Sequence, residues 1–278
     1  MRVAAIGLGL AILAAAGGAA AQNPAVPNYW NPGERLIKPD LSGVDRLRFL
    51  TTTDFPPFNF IDRRKRLSGF NVDLARAICT ELAIMAKCEI QALPWDELPK
   101  AIERGDGEAI IAGLEMTSQT RREYEFTRPY LQVPGRFVQR RESAISEPMA
   151  FSVRNHKTGL VAGSVHAEWF QEAFRGAASQ EYPDRAAALA ALGAGKVDLV
   201  FSDAVSLAFW QVSEAAGDCC VFAGEAYQSP GRFGGGMSIA FAKGRTELAA
   251  ASEYAIKELN DKGVFAELYL RYFPLSLY

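Results

Sequence analysis

Residues 112–130 read AGLEMTSQTRREYEFTRPY, the tail of an apolar strand, AIIAGL, that turns abruptly polar. Glu115, Met116, Thr117, Ser118, Gln119 and Thr120 follow in succession, and then the arginines 121 and 122. A buried strand opening onto such a mouth is either a strand-to-helix turn with a good cap or one wall of a polar site. In open α/β sheets ligands sit outside the carboxyl ends of the strands. The strands around this one therefore decide which other residues face the same mouth.

Upstream, RLRFLTT reads as a strand and DFPPFNFIDRRKRLSG as a loop with a double proline. FNVDLARAICTELAIMA sets Val72, Leu74, Ala75, Ile78 and Leu82 at helical spacing. CEIQAL is a strand, and PWDELPKAIERGD is a helix with Gly105 near its end. This β-α-β-α-β order predicts a mostly parallel sheet with helices on both faces. A second series runs downstream. TGLVAGS, SQEYP and VDLVFSD are strands, while VHAEWFQEAF, DRAAALAALGAGK and AVSLAFWQVSEAAG are helices. The tail from residue 237 is a strand and two helices punctuated by Gly244 and Gly263. Two α/β units with elements left over imply two lobes, the tail returning to the first. The strand ends are then the Phe55 loop, Trp95, residues 113–120, Gly163 with Ser164, and Asp203.

The 278 residues are 49% hydrophobic and 22% charged, enough for one or two units with proper cores. Residues 1–21 carry Arg2, an apolar run and a small-residue cleavage signal, which is the pattern of a secretory signal peptide. No later segment supplies the roughly 20 apolar residues of a bilayer span, so the mature chain is expected to be soluble and exported. Residues 22–44, rich in Pro and Asn, read as an extended arm lying on the surface through Tyr29 and Trp30. The formal charge of −2 excludes a basic footprint for nucleic acid. In an oxidising compartment Cys79 and Cys88 could join a helix end to the next strand. Cys219 and Cys220 lack metal-ligand spacing and only two histidines exist, so no metal is expected.

The segments DFPPFNF, GFNVDLARAI, WDELPKAIERGDGEAIIAGL, FTRPYL, GLVAGSVHAE, AGKVDLVFSD, GGMSIAFAKG and LNDKGVFAELYLRYF occur in one order over about residues 45–273. Together they resemble the extracellular solute-binding proteins of polar amino acid uptake systems, the family-3 type of ABC transporters. The resemblance implies an α/β, two-lobed periplasmic-binding-protein fold. Each lobe is a mostly parallel sheet flanked by helices, and two hinge strands join them. Lobe one takes 45–133 and 235–278, and lobe two takes 134–234. A monomeric periplasmic receptor follows, with a small-molecule ligand, no cofactor, no catalytic residue, and an ABC permease as transient partner.

Carried over by position, Phe55 covers the ligand side chain and Trp95 supplies the facing wall. Gly113 and Glu115 stand where backbone and a hydroxyl meet the ligand. Ser164 presents a backbone N–H to a carboxylate, and Asp203 pairs with an ammonium. The resemblance breaks at Thr120, where the family places the arginine that grips the ligand carboxylate. A one-residue shift turns a helical side chain by about 100 degrees. Arg121, one residue on, is the candidate carboxylate partner through its planar bidentate fork, and the Thr120 hydroxyl is a further candidate ligand contact. Each residue also has a plainer reading. Ser164, Thr117 and Asp203 are good helix N-caps, and Glu115 could pair with Arg121 or Arg122. If instead Glu115 and Asp203 share a cleft, they select a cationic group on the ligand. The alternative function is a cyclohexadienyl or prephenate-type dehydratase on the same scaffold, with Glu115 as general acid.

Overall fold

Apolar runs bury themselves as strands and amphipathic stripes as helices, and this chain does so twice. The computed structural model describes residues 26–145 and 148–278, so the leader expected over 1–21 lies outside the described residues. The first series lays down β1 (Leu47–Thr51), β2 (Asp54–Phe55), β3 (Asn59–Ile61), β4 (Leu67–Ser68), α1 (Phe70–Glu81), β5 (Cys88–Ala92), α2 (Leu98–Glu103), β6 (Ala109–Ile110), α3 (Thr120–Glu123) and β7 (Tyr124–Phe126). The middle of the chain adds β8 (Gly135–Arg140), α4 (Met149–Ser152), β9 (Thr158–Val161), α5 (Val165–Ala173), β10 (Ser179–Tyr182), α6 (Arg185–Gly193), β11 (Leu199–Asp203), α7 (Ala204–Gln211) and β12 (Cys220–Tyr227). Strand β13 (Ala240–Ala242) and helices α8 (Thr246–Asp261) and α9 (Val264–Tyr272) follow.

Strand β13 returns to the first sheet, whose order is β5-β1-β6-β13-β7, while the middle of the chain forms β10-β9-β11-β8-β12. Two lobes result, and the first takes both outer parts of the chain. The sheets are mixed rather than mostly parallel. Strand β1 pairs parallel with β5 and β6, and β9 pairs parallel with β10 and β11. Strands β13 and β8 each arrive by a crossing from the other lobe, and each pairs antiparallel on both sides. The stretch expected to be a loop, DFPPFNFIDRRKRLSG, instead folds β2, β3 and β4 into a small antiparallel sheet.

Helix α1 turns Phe70, Leu74, Ala75 and Ile78 into the lobe-one core, where Phe70 meets Phe265 edge-on. Phe137, Phe170 and Phe201 fill the lobe-two core. Burying a side chain of this size contributes roughly 1.5–3 kcal/mol, against about 0–1 kcal/mol for a surface ion pair. The aromatic clusters therefore hold each lobe together. Disulfides join Cys79 to Cys88 and Cys219 to Cys220.

The crossings, residues 127–134 and 228–239, meet at an antiparallel bridge between Leu131 and Met237. Met237 N–H donates to the Leu131 carbonyl at 2.6 Å, and Tyr130 N–H to the Met237 carbonyl at 2.8 Å. Gly236 sits at φ +89, and a Cβ there would lie 2.8 Å from the Leu131 carbonyl oxygen, so the close approach requires glycine. The arm expected to lie on the surface is tied to this junction. Trp30 is buried beneath the Arg128 guanidinium at 4.1 Å, and Arg128 also pairs with Glu34 at 2.8 Å. Gln132 N–H donates to the Tyr29 hydroxyl at 3.0 Å, and the Tyr278 hydroxyl bonds both Tyr29 and the Gln132 carbonyl. Arg136 is buried at the same junction, where it donates to the carbonyls of Leu277 at 3.3 Å and Gly224 at 3.1 Å.

Candidate ligand cleft

The lobe-one wall is built on the end of β1. A buried polar chain runs under it. Asn59 donates to Thr52 at 2.7 Å, Asn71 to Asn59 at 2.9 Å, and the Tyr130 hydroxyl to Asn71 at 2.8 Å. Satisfied networks of this kind lock their elements in one arrangement, here β3, α1 and the first crossing. Phe55 ends β2, and its exposed ring packs on buried Phe58 with centroids 4.8 Å apart. Gly113, at φ +84, lets that ring approach, because a Cβ there would stand 3.0 Å from Phe55 Cε1.

Beyond Gly113, Glu115 is exposed and forms no ion pair with Arg121 or Arg122 among the described residues. The Thr120 hydroxyl is occupied by the turn: it accepts from Thr117 N–H at 2.8 Å and donates to the Glu115 carbonyl at 2.7 Å. Thr117 closes the same turn, its hydroxyl accepting from Thr120 N–H at 3.1 Å. A cavity of about 340 Å³ lies between this wall and the second crossing, lined by Phe55, Phe58, Gly113, Glu115, Val133 and residues 233–237. Among the described residues that line it, Glu115 alone is charged.

On lobe two the carboxyl ends of β9, β10 and β11 each open onto a helix. Ser164 caps α5, its hydroxyl accepting from Ala167 N–H at 3.1 Å. The backbone N–H groups that follow it lack helical partners, as at any helix start. Asp203 caps α7 with one oxygen, taking Ser206 N–H at 2.8 Å, and its other oxygen accepts from Arg185 at 2.7 Å. The expected pair of free carboxylates is thus reduced. Glu115 stands unneutralised, whereas Asp203 carries a counter-ion. His166 stacks on Phe233 with centroids 4.5 Å apart. Burial pushes its ring below the ordinary histidine range; the Asp203 carboxylate opposes that and the Arg185 guanidinium reinforces it.

Of the residues singled out by sequence, Phe55, Gly113 and Glu115 line one cavity. Ser164 and Asp203 cap neighbouring helices on the facing lobe. Trp95, half exposed at the start of a 3-10 turn, and Thr120 and Arg121 do not line the cavity. Sequence reasoning missed Arg185 and Phe233. The strand-end rule applied to SQEYP would have reached Arg185, one residue past the Asp184 cap. Phe233 lies in a glycine-rich crossing with no periodicity to mark it. Among the described residues no group of three or more His, Cys, Asp or Glu could hold a metal, and no helix is long and apolar enough to cross a membrane.

Compared with known proteins, residues 47–275 match the family model described as bacterial extracellular solute-binding proteins, family 3. The L-arginine-binding protein of Pseudomonas aeruginosa is 30% identical over 246 residues, spanning 87% of this chain and 93% of that protein. The lysine/arginine/ornithine-binding periplasmic protein of Escherichia coli is 26% identical, spanning 84% and 90%. Among solved structures, the unliganded open L-cystine solute receptor of Neisseria gonorrhoeae superposes with a TM-score of 0.71 at 19% identity, over 84% of this chain and 94% of that one. An ancestral cyclohexadienyl dehydratase gives 0.68 at 17%, over 87% and 99%. At such identities the two structures establish the two-lobed α/β fold.

Proposed function

The chain belongs to the bacterial extracellular solute-binding proteins of family 3, and on that footing we propose that it is a periplasmic receptor of an ABC uptake system. It takes a small, amine-bearing solute of the amino acid class between its lobes and hands it to an inner-membrane permease. Phe55, Gly113 and Glu115 meet the solute from lobe one, and Ser164 and Asp203 meet it from lobe two. The observation that carries this reading is the placement of unneutralised Glu115 in a cleft walled by aromatic rings. A desolvated cation gains from a carboxylate and from ring faces within about 6 Å. The basic amino acids named for the relatives point the same way. Closure follows because only the closed form lets both lobes touch one ligand, which shifts the population toward it. The dehydratase alternative has no support beyond the shared scaffold.

A thermal-shift screen of the exported chain tests this. Ligand at 100 times its Kd adds about 2.7 kcal/mol of stability, so basic amino acids should raise the melting temperature by several degrees. Stabilisation by anionic solutes alone, or by no amine in the panel, contradicts the proposal.

A further inference from the structure

An amino acid has a carboxylate as well as an ammonium, and the cavity lining offers it no cation. Arg121 and Arg122 stand on α3, outside the lining, and the Thr120 hydroxyl is occupied by its turn. Arg232, next to the lining residue Phe233, is already paired with Glu172 at 2.7 Å, and a further cation, Arg185, stands among the strand ends of the other lobe. Phe233 lines the cavity and stacks on His166, and His166 feels the charges of both Asp203 and Arg185. Arg185 opens α6 at the carboxyl end of β10, and it reaches past the end of β9 to Asp203 at the end of β11. The ion pair thus stands at the carboxyl ends of the lobe-two strands, the edge on which Ser164 and His166 open α5.

Arg185 has donors to spare. Its guanidinium carries five N–H groups, and the described contacts use one at Nε, to the Ser202 hydroxyl at 3.4 Å, and one at Nη2, to Asp203 at 2.7 Å. Both N–H groups of Nη1 and the second of Nη2 remain. The side chain as a whole is 41% exposed. Asp203 likewise keeps acceptor capacity, since each of its oxygens has two lone pairs and one strong contact.

We propose that Arg185 is the carboxylate-recognising residue of this cleft. The Arg185 and Asp203 pair then reads an amino acid head group as a zwitterion, its ammonium on Asp203 and its carboxylate on the free guanidinium edge. The ion pair stays intact while it does so, because opposite charges alternate around the four groups. Arg suits the task through its planar fork, which meets a carboxylate with two parallel bonds. The inference rests on the binding function proposed above and adds a specificity to it: free α-amino acids are preferred to amines whose carboxyl is blocked.

Calorimetric titration with L-arginine and L-argininamide tests it, because the amide keeps the amine and side chain and loses the anionic head. The unaltered chain should bind L-arginine roughly ten- to a hundredfold more tightly, the range of a charge-assisted hydrogen bond. Arg185→Met should erase that preference, and Arg185→Lys should keep part of it. Thermal melts of both variants confirm folding. An unchanged preference in Arg185→Met overturns the assignment. So does a parallel rise in affinity for both ligands, which would make Arg185 only a competitor for Asp203. If the unaltered chain binds neither compound nor any other amine, the receptor reading itself fails, and this inference with it.

Discussion

Asp203 has two duties, and a pair of substitutions separates them. Asp203→Asn preserves the cap, since Asn accepts from the Ser206 N–H as well as Asp does, and removes the charge. It also removes the bond to Arg185, a partly exposed contact with side chains 41% and 22% accessible, worth no more than about 1 kcal/mol. A ligand ammonium held by a carboxylate contributes about 1.5–3 kcal/mol, a factor of roughly ten to 150 in Kd. Asp203→Ala loses all of this and the cap too, a further cost of about 1 kcal/mol in stability. Calorimetry with L-arginine should therefore show both variants weakened to a similar degree. Urea unfolding should show Asp203→Ala about 1 kcal/mol less stable than Asp203→Asn. Full affinity in Asp203→Asn would refute the idea that its charge meets the ligand and leave Asp203 a helix cap.

Gly113→Ala puts a Cβ at φ +84 and 3.0 Å from the Phe55 ring; it should cost about 1–2 kcal/mol in urea unfolding and weaken ligand binding. Gly43→Ala, with nothing within 4 Å of the new Cβ, is the matched control and should be neutral. Replacing Cys79 and Cys88 by Ala opens a link of sequence separation 9, and loop-closure entropy predicts a loss of about 2.5 kcal/mol in the denaturation midpoint analysis. His166, buried below its ordinary range, binds its proton more readily in the unfolded chain, so its contribution to stability is complete above that ordinary range and is lost as pH falls below it. The slope is at most about 1.4 kcal/mol per pH unit, and melts between pH 7.5 and 5.5 should show it in the native chain but not in His166→Phe.

The fold was legible wherever one element buries one face. Helix α1, read from Val72, Leu74, Ala75, Ile78 and Leu82, starts where expected at Phe70 but ends at Glu81 rather than near residue 86. Strand β11, read from VDLVFSD, covers Leu199–Asp203. Strands β8 and β12 went unread because their pairing comes from a crossing between lobes, a long-range event with no local signal. Burial of Trp30 was invisible for the same reason: its partner, Arg128, is remote in sequence. That Phe55, Gly113 and Glu115 share one cavity was legible because each lies at or just past a strand end. The counter-ion of Asp203 was missed because Arg185 belongs to a different strand-helix unit, and only the sheet order β10-β9-β11 brings the two together.

Small-angle X-ray scattering of the purified chain, alone and saturated with L-arginine or another basic amino acid that binds it, tests the receptor account most directly. Closure of the two lobes around the solute predicts a smaller radius of gyration in the saturated sample. Saturating binding that leaves the scattering curve unchanged would contradict it.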